Sequence, residues 1–570
     1  MAGVALVIRG GTLADGRGGA LFEADIAVDD GRIVAIGANV GAGRQEIDAR
    51  GRLVTPGFVD VHTHYDAQAT WSSHLTPSSN NGVTTILMGN CGVGFAPVHA
   101  HHHDMLIELM EGVEDIPEVV LSEGLSWNWR SFPDYLDALA KRQFDVDVAT
   151  QVPHAALRVF VMGERGARRE PATTTDQAQM AELAAEGIRA GAFGFSTSRL
   201  LQHRTARGEP VPSYGAAAEE LHAIAKAVAG AGRGWVQVVT DFGAEQEAEF
   251  SLLRSLAEAH HLPLTLTLLQ RESWPDEWRQ LLQRIEQANA DGVRMSGQTR
   301  GRPTSTLMGF ELSNNPFRDC ESFAPLLRLP FAERIEALSD PALRERLLQE
   351  PAGDDMQRKR TRNWERIFKL GDPPCYEPLP TESVAACARQ QGVAPERLAF
   401  DWLMEDGGYG ILYRPTTNYS GGDMAPVLEM LRHPHTLIGL GDGGAHVGVM
   451  CDATDMTHAL THWTRDRNRG ARLSVPHIVQ RLTANNAHAL GLSDRGVLAV
   501  GKRADINVID YDNLRLHAPR IHYDLPAGGK RLLQRADGYD ATLVAGQVVW
   551  RHGEATGALP GRLLRSSHNQ

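Results

Sequence analysis

Val59-Asp60-Val61-His62-Thr63-His64 is the most informative stretch of this sequence. Thr55-Pro56-Gly57 forms a predicted turn before it, and the apolar residues that lead up to His62 predict a short strand. Residues two apart on a strand project to the same face, so both imidazoles can reach one ion where the strand ends. Imidazole is a common ligand of zinc and similar ions. The stretch therefore predicts a metal site, although a lone His-x-His pair is more often a surface or core feature.

Short apolar runs alternate with helical patterns around this stretch. The apolar runs predict strands at residues 84–88, 236–239, 264–268 and 437–440. The stretches rich in Ala, Leu and Glu predict helices at residues 175–190, 215–230 and 245–260. Repeated strand–helix units indicate an α/β fold with a parallel sheet. At this chain length we expect a closed (β/α)₈ TIM barrel, whose chemistry collects at the carboxyl ends of the strands.

The pattern also predicts how the chain divides into domains. Both ends are rich in short strands, so we expect residues 1–55 and 485–570 to pair into one small β-sandwich. Two unrelated β caps are the alternative. The barrel then occupies residues 56–484, and the charged, irregular pattern of residues 309–395 predicts an insertion that covers its mouth.

The composition argues against several classes of function. The 570-residue chain has a formal net charge of -13, which is unlike the basic footprint of a nucleic-acid-binding protein. It has no apolar run of about 18 residues that would cross a membrane, and residues 1–10 show no secretory signal. Its five scattered cysteines are not a disulfide framework. We expect a cytoplasmic protein without nucleic-acid or membrane partners, and a homo-oligomer is possible.

Two further predicted strand ends carry residues that can bind metal. Asp442 follows an apolar run and precedes two glycines, so its carboxylate can ligate an ion and take a proton from bound water. The alternative is an Asp that caps the next helix. Cys91 follows the predicted strand 84–88 and has glycine neighbours, and thiolate is a strong zinc ligand. A buried structural cysteine is the alternative there.

These motifs form part of a wider resemblance. Six segments resemble the N-acyl-D-amino-acid deacylase family (D-aminoacylase-like, amidohydrolase-3) of the amidohydrolase superfamily: residues 55–66, 89–92, 110–115, 194–199, 441–446 and 496–505. The similarity extends over nearly the whole chain. It implies a TIM barrel with a β-sandwich from both termini, and it places His62, His64 and Asp442 at one metal position. Cys91 lies where this branch has a zinc-binding cysteine.

The sequence departs from the family pattern at the second metal position. Family members usually place histidines at the ends of the fifth and sixth strands, but residues 236–241 and 264–270 contain none. Asp241 can substitute as a ligand, although an Asp at a strand end is more often a cap. We therefore expect one or two Zn²⁺ ions per chain, with one favoured.

Several other residues are candidates for the mouth of the barrel. The residues predicted to bind substrate are His154, Arg199, His203 and Arg204, and Arg300 and Arg302 are further candidates for a clamp on a substrate carboxylate. His203 and Arg204 can equally lie in a solvated loop. The cluster His99, His101, His102 and His103 precedes a helical pattern, so a surface role is favoured over metal binding.

The predicted function is hydrolysis of the C–N amide bond of an N-acyl amino acid or a related small amide. In this mechanism metal-activated water attacks the carbonyl carbon, with Asp442 as general acid and base and with His154 or His203 near the carbonyl oxygen. A different amide, a cyclic amide or a lactone is the alternative substrate. A non-catalytic barrel that keeps a decayed metal site for binding is the alternative of another class.

Overall fold

A computed structural model describes residues 3–232 and 234–566 of the chain. Strands from the N-terminal and C-terminal parts of the chain pair in one nine-stranded sheet. Eight of its strands run in the order Glu554–Ala555, Gln547–Arg551, Tyr539–Val544, Ile506–Ile509, Leu53–Pro56, Val4–Leu13, Phe22–Asp29 and Arg32–Gly37. The ninth, Gly43–Asp48, pairs with Val4–Leu13. The link between the ends is antiparallel, with Ile506 opposite Pro56 and Ile509 opposite Leu53. The inward side chains of both ends form one buried apolar cluster that includes Val54 and Val508. Separation of this sheet into a sandwich domain stays a prediction.

Parallel strands form the framework of the middle of the chain. We call them inner strands 1 to 8: Phe58–Asp60, Val83–Met88, Asp147–Thr150 with its continuation Val152–Pro153, Gly194–Arg199, Trp235–Thr240, Leu264–Thr267, Met295–Thr299 and Thr436–Ile438. Strands 1 to 3 make one parallel sheet, and Val152–Pro153 begins a second that runs through strands 4 to 8. Most of their residues are buried on both faces, as expected for strands covered by helices.

The two parallel sheets approach each other at both ends without a continuous ladder. Between strands 8 and 1, an isolated parallel bridge joins Thr63 to Gly443, and the His64 amide donates to the Gly443 carbonyl at 2.7 Å. The Asn486 amide spans the same gap, donating at 2.7 Å to the carbonyls of Val59 and Ile438. Full closure of the barrel is not detected in the described part of the chain, and the closed barrel stays a prediction.

Helices pack outside the inner strands. Their bounds are His103–Glu114, Phe132–Ala140, His154–Met162, Thr174–Ala190, Ala218–Ala231, Gln246–His260, Glu277–Ala290, Ala425–Arg432, Asp455–Thr461, Val475–Leu482 and Ala484–Ala489. Thr174–Ala190 shows why the sequence signal was strong: Thr173 and Asp176 form a capping box, and Gly191 ends the helix with φ 116°. The three helices predicted from the sequence are confirmed to within a few residues. No helix among the described residues has the length and apolar character needed to cross a membrane.

The segment between inner strands 7 and 8 is built as a small unit with its own core. A three-stranded sheet of Ser305–Met308, Leu412–Pro415 and Phe368–Lys369 supports five helices, Phe331–Leu338, Pro341–Gln349, Asp355–Thr361, Val384–Gln391 and Pro395–Gly408. Phe310, Phe317 and Phe400 pack together in its buried centre. Residues 309–395, predicted as an insertion, thus contain helices and strands around a core of their own. Their position over the barrel mouth stays a prediction.

A hairpin from the C-terminal segment reaches the carboxyl ends of the inner strands. Arg520–Leu525 and Gly529–Leu533 pair antiparallel, outside the nine-stranded sheet. The Leu532 amide donates to the Val447 carbonyl at 2.7 Å, and Arg531 donates to the Thr76 carbonyl at 2.9 Å. The hairpin thus packs against the loop that follows inner strand 8.

Candidate metal centre

Three side chains from two neighbouring strand ends meet in the interior. His62 and His64 follow inner strand 1, and Cys91 follows inner strand 2. All three are buried, and one ligand atom from each lies within 4.8 Å of the others. His62 Nε2 and Cys91 Sγ are 3.3 Å apart. Among residues 3–232 and 234–566, this is the one group of three or more His, Cys, Asp or Glu residues that meets this distance.

Asp442 joins the group from the loop after inner strand 8. Its Oδ1 atom lies 3.4 Å from His62 Nε2 and 3.7 Å from His64 Nε2. The structure therefore brings together the four residues that the sequence predicted as metal ligands. Two imidazole nitrogens, a thiol and a carboxylate form a donor set that suits zinc.

Unusual backbone conformations hold two of these side chains in place. Cys91 has φ 55° and Asp442 has φ 48°, and His446 in the same loop has φ 53°. Non-glycine residues rarely adopt this left-handed conformation, and it persists where surrounding structure enforces it, often at functional sites. At Asp442 the neighbouring Gly443 permits the close approach, because an added Cβ there would lie 2.5 Å from Ser78 Oγ.

Oxygen atoms lie behind both imidazoles, with hydrogen-bond geometry at His62 and at ion-pair distance at His64. His62 Nδ1 lies 2.6 Å from Gln298 Oε1, and His64 Nδ1 lies 3.2 Å from Glu114 Oε1. In each ring this leaves Nε2 toward the centre, which is the arrangement seen in metal-ligating histidines. The geometry of the two rings thus fits a bound cation.

Sequence reasoning missed three supporting residues, Gln237, Gln298 and Glu114. The Gln237 amide oxygen accepts a hydrogen bond from the Cys91 amide at 2.8 Å. Gln237 and Gln298 are fully buried polar residues within inner strands 5 and 7. A polar residue inside an otherwise apolar strand is a signal that could have identified both. Glu114 lies on a helix, where no such signal separates it from a surface residue, although it falls in segment 110–115 of the family resemblance.

Burial and neighbouring charges set the protonation of the group. Burial lowers the pKa of His62 and, more strongly, that of His64, which favours the neutral form that ligates a metal. Burial alone would raise the pKa of Asp442, but His62 and Arg300 outweigh it and lower the pKa to about 2. Burial raises the pKa of the Cys91 thiol well above its usual range. Cys91 therefore needs a cation beside it to become the thiolate that binds zinc.

Inner strands 5 and 6 offer no second set of ligands. Gln237 supports Cys91 from strand 5, and Leu264–Thr267 of strand 6 contains only Leu and Thr. Asp241 Oδ2 accepts a hydrogen bond from the Leu201 amide at 2.6 Å, and its Oδ1 lies 3.5 Å from Arg271. Asp241 therefore stabilises a loop; it neither caps the helix that follows nor belongs to the metal group.

His154 belongs to a different buried cluster. Its Nδ1 lies 2.8 Å from Thr197 Oγ1 and its Nε2 lies 2.7 Å from Glu220 Oε1, so both ring nitrogens are engaged. Glu220 also forms an ion pair with Arg158 at 2.5 Å, and all three charged or polar side chains are buried. The substrate-binding role predicted for His154 does not fit this placement, because neither nitrogen is free.

We expect Glu220→Ala to lower the free energy of unfolding by about 3–5 kcal/mol, because it leaves the Arg158 charge buried and unpaired. Urea denaturation measures the loss. Glu219→Ala, an exposed neighbour on the same helix, is the matched control and should change stability little. Equal losses in the two variants would contradict the structural assignment of the cluster.

The other predicted substrate-binding residues fall into two groups. Arg199 is held by Glu249 at 2.6 and 3.1 Å, and Arg204 is exposed and donates to the Gly208 carbonyl at 2.7 Å. His203 lies nearer the centre: its Nδ1 is 2.9 Å from Ser198 Oγ, and burial together with the nearby His446 lowers its pKa to about 4. Of the four, His203 is therefore the neutral side chain best placed to meet a substrate.

The remaining candidates do not reach the metal group as ligands or clamps. Arg300 and Arg302 are buried and share Asp452, at 2.9 and 3.1 Å, although Arg300 Nη2 also lies 3.6 Å from Asp442 Oδ2. The rings of His99, His101 and His102 contact one another before helix His103–Glu114, outside the metal group.

Parallel inner strands with a nitrogen, sulfur and oxygen donor set at their carboxyl ends define the class of the protein, a metal-binding protein of mixed α/β fold. The Amidohydrolase family matches residues 45–550, and the chain belongs to this family. It is therefore a hydrolase that acts on carbon–nitrogen bonds other than peptide bonds. The resemblance to N-acyl-D-amino-acid deacylases inferred from the sequence is confirmed.

Individual relatives agree with this assignment. N-acyl-D-glutamate deacylase of Alcaligenes xylosoxydans xylosoxydans is 24% identical over 568 residues, which cover 98% of this chain and 96% of that protein. The structure of N-acyl-D-glutamate deacylase from Bordetella bronchiseptica, with zinc and a phosphonate mimic of the tetrahedral intermediate, matches with a TM-score of 0.65 and 23% identity, covering 99% of this chain and 100% of that one. A D-aminoacylase structure matches with the same values; its binuclear metal centre is described by one-metal activation and second-metal attenuation. These structures show a shared fold of the TIM-barrel type.

Proposed function

We propose that the protein is a zinc-dependent deacylase that hydrolyses the amide bond of N-acyl amino acids. One observation carries this proposal: Asp442 Oδ1 lies 3.4 and 3.7 Å from the Nε2 atoms of His62 and His64, beside Cys91. A carboxylate at this distance can both complete a metal site and accept a proton there. The zinc-bound N-acyl-D-glutamate deacylase supports the choice of metal and of substrate class.

The residues of the chain divide the catalytic work between them. When bound, zinc would polarise the carbonyl and make water a stronger acid. Asp442 is ionised at neutral pH, so its Oδ1 can accept the proton of the attacking water and later deliver it to the leaving nitrogen. Arg300 Nη2, 3.6 Å from Asp442 Oδ2, keeps Oδ1 turned toward the histidines. We assign His203 to the carbonyl oxygen, because contact of its Nδ1 with Ser198 leaves Nε2 available as a donor.

We further propose that the centre holds a single zinc ion. His62, His64, Cys91 and Asp442 would supply enough donors for one ion, and the described parts of strands 5 and 6 offer no histidine for a second. Purified protein should therefore contain about one zinc per chain by elemental analysis. A content of about two would contradict the single-ion proposal and require ligands other than these four.

The substrate is tested with a panel of N-acetyl amino acids. We expect release of acetate from N-acetyl derivatives of D-amino acids, with acidic and apolar side chains compared, and little release from the L forms. Hydantoins and lactones in the same panel test the cyclic-amide and lactone alternatives. Hydrolysis of only these cyclic compounds would overturn the N-acyl amino acid proposal. The non-catalytic alternative is disfavoured, because the chain belongs to a family of hydrolases.

The finer points of architecture complete the proposal. We propose that inner strands 1 to 8 form one (β/α)₈ barrel over residues 56–484, supported by the bridge between Thr63 and Gly443. We also propose that residues 1–55 and 485–570 make up one β-sandwich, supported by the pairing of Leu53–Pro56 with Ile506–Ile509. The cytoplasmic location and the homo-oligomer stay predictions.

A further inference from the structure

The C-terminal end of helix His103–Glu114 lies directly behind the metal group. Glu114 is the last residue of the helix and is 1% exposed. Asp115 follows it in the left-handed conformation, with φ 52°, which ends the helix and turns its own carboxylate in a second direction. Two adjacent carboxyl groups therefore lie at the end of this helix and point in different directions.

Glu114 lies between two imidazoles, one that follows inner strand 1 and one in the loop after inner strand 8. Its Oε1 atom is 3.2 Å from His64 Nδ1, and its Oε2 atom is 3.5 Å from His446 Nε2. The Glu114 carbonyl also accepts a hydrogen bond from the His446 amide. Within the described residues, these histidines are the only basic side chains within ion-pair distance of Glu114.

Asp115 contacts the loop after inner strand 8 at Gly448, two residues beyond His446. Its Oδ2 atom accepts a hydrogen bond from the Gly448 amide at 3.0 Å, and Ser313 Oγ approaches it at 3.5 Å. The loop that starts with Asp442 is thus fixed at His446 and at Gly448 by consecutive residues. We call Glu114 and Asp115 the helix-end clip.

We propose that Glu114 is a positioning residue of the metal centre, which orients His64 for ligation and, with Asp115, holds the Asp442 loop in its working position. This inference rests on the proposed metal function. A carboxylate behind a ligating imidazole fixes the orientation of the ring and raises its basicity. His62 is backed by the Gln298 amide and His64 by the Glu114 carboxyl group.

Glu114 is 1% exposed, and a buried polar group is costly unless it is paired. Its partners are the rings of His64, a proposed ligand, and His446, which lies in the Asp442 loop. Glu114 is therefore placed to hold both rings.

The decisive comparison uses Glu114→Gln, which preserves size, against Glu118→Gln, which changes an exposed glutamate at the start of helix Glu118–Gly124. Zinc affinity of the metal-free full-length proteins is measured by competition with a chromogenic chelator. We expect Glu114→Gln to bind zinc about 10- to 100-fold more weakly than wild type, and Glu118→Gln to match wild type. The absorption spectrum of the cobalt-substituted protein should change only in the Glu114 variant.

Further variants separate positioning from general damage. Asp115→Ala keeps the His64 contact, so it should lower kcat through the Asp442 loop and change zinc affinity much less than Glu114→Gln. If Glu114→Gln binds zinc as tightly as wild type with an unchanged cobalt spectrum, the proposal is overturned. Absence of tight zinc binding by wild type would overturn it too. If wild type binds zinc without cleaving any N-acyl amino acid while Glu114→Gln loses affinity, only the substrate proposal fails.

Discussion

Asp442→Asn is expected to reduce kcat by about 10²- to 10⁴-fold, which is the usual contribution of a general acid–base group. Asparagine keeps the size of the side chain but cannot accept the proton that Oδ1 takes in the proposed mechanism. Zinc should remain bound through His62, His64 and Cys91, because these three ligand atoms already lie within 4.8 Å of one another. Steady-state kinetics and the zinc content of the same preparation give the two readouts.

Asp241→Asn is the matched control for this variant. Asp241 also follows an inner strand, but it accepts a hydrogen bond from the Leu201 amide outside the metal group. It should keep kcat close to that of wild type. Near-normal turnover of Asp442→Asn, with zinc still present, would remove Asp442 from its assigned role.

His62→Ala should abolish activity through loss of the metal. Its Nε2 is 3.3 Å from Cys91 Sγ and 3.4 Å from Asp442 Oδ1, so its removal opens the centre of the ligand group. Loss of a direct ligand should weaken zinc binding by more than the roughly 100-fold that a supporting residue can cost. Elemental analysis after dialysis against a chelator should find zinc in wild type and none in the variant.

His101→Ala provides the comparison for the loss of a histidine in general. This exposed ring belongs to the cluster before helix His103–Glu114 and stacks on His99, 5.4 Å away. The variant should keep both zinc and activity. If His101→Ala instead lost zinc and His62→Ala retained it, the metal centre would have been placed in the wrong part of the molecule.

The four proposed ligands could be located from sequence because each follows a recognisable strand. Apolar runs before His62, Cys91 and Asp442 identified the strand ends, and parallel strands bring such ends together. Glu114 could not be located in this way, because a helical glutamate carries no sign of which partner it will meet. His154 was assigned to the pocket for a related reason: its position at a strand end was correct, but Glu220, which engages it, lies on a distant helix.

The fold prediction was likewise accurate where the signals are local in sequence and incomplete where the contacts are distant. Helix Thr174–Ala190 was predicted almost to the residue, because Ala, Leu and Glu at helical spacing are a local signal, and a capping box and terminal glycine fix its ends. The backbone of residues 309–395 was not, since its helices bury apolar residues against a core of their own that only the folded structure defines. The hairpin of Arg520–Leu525 and Gly529–Leu533 was missed because alternating residues do not reveal which surface a hairpin will cover.

That hairpin has a consequence for how the protein is made. The ribosome synthesises His62 and Cys91 early and Asp442 late. Leu532, whose amide donates a hydrogen bond to Val447 in the Asp442 loop, is synthesised later still. Leu53–Pro56 must likewise wait for its partner Ile506–Ile509. Contacts so distant in sequence form slowly and leave apolar strands exposed in the meantime. The nascent chain should therefore depend on chaperones until translation is nearly complete, and a transcript truncated after Asp442 should yield every ligand residue but no enzyme.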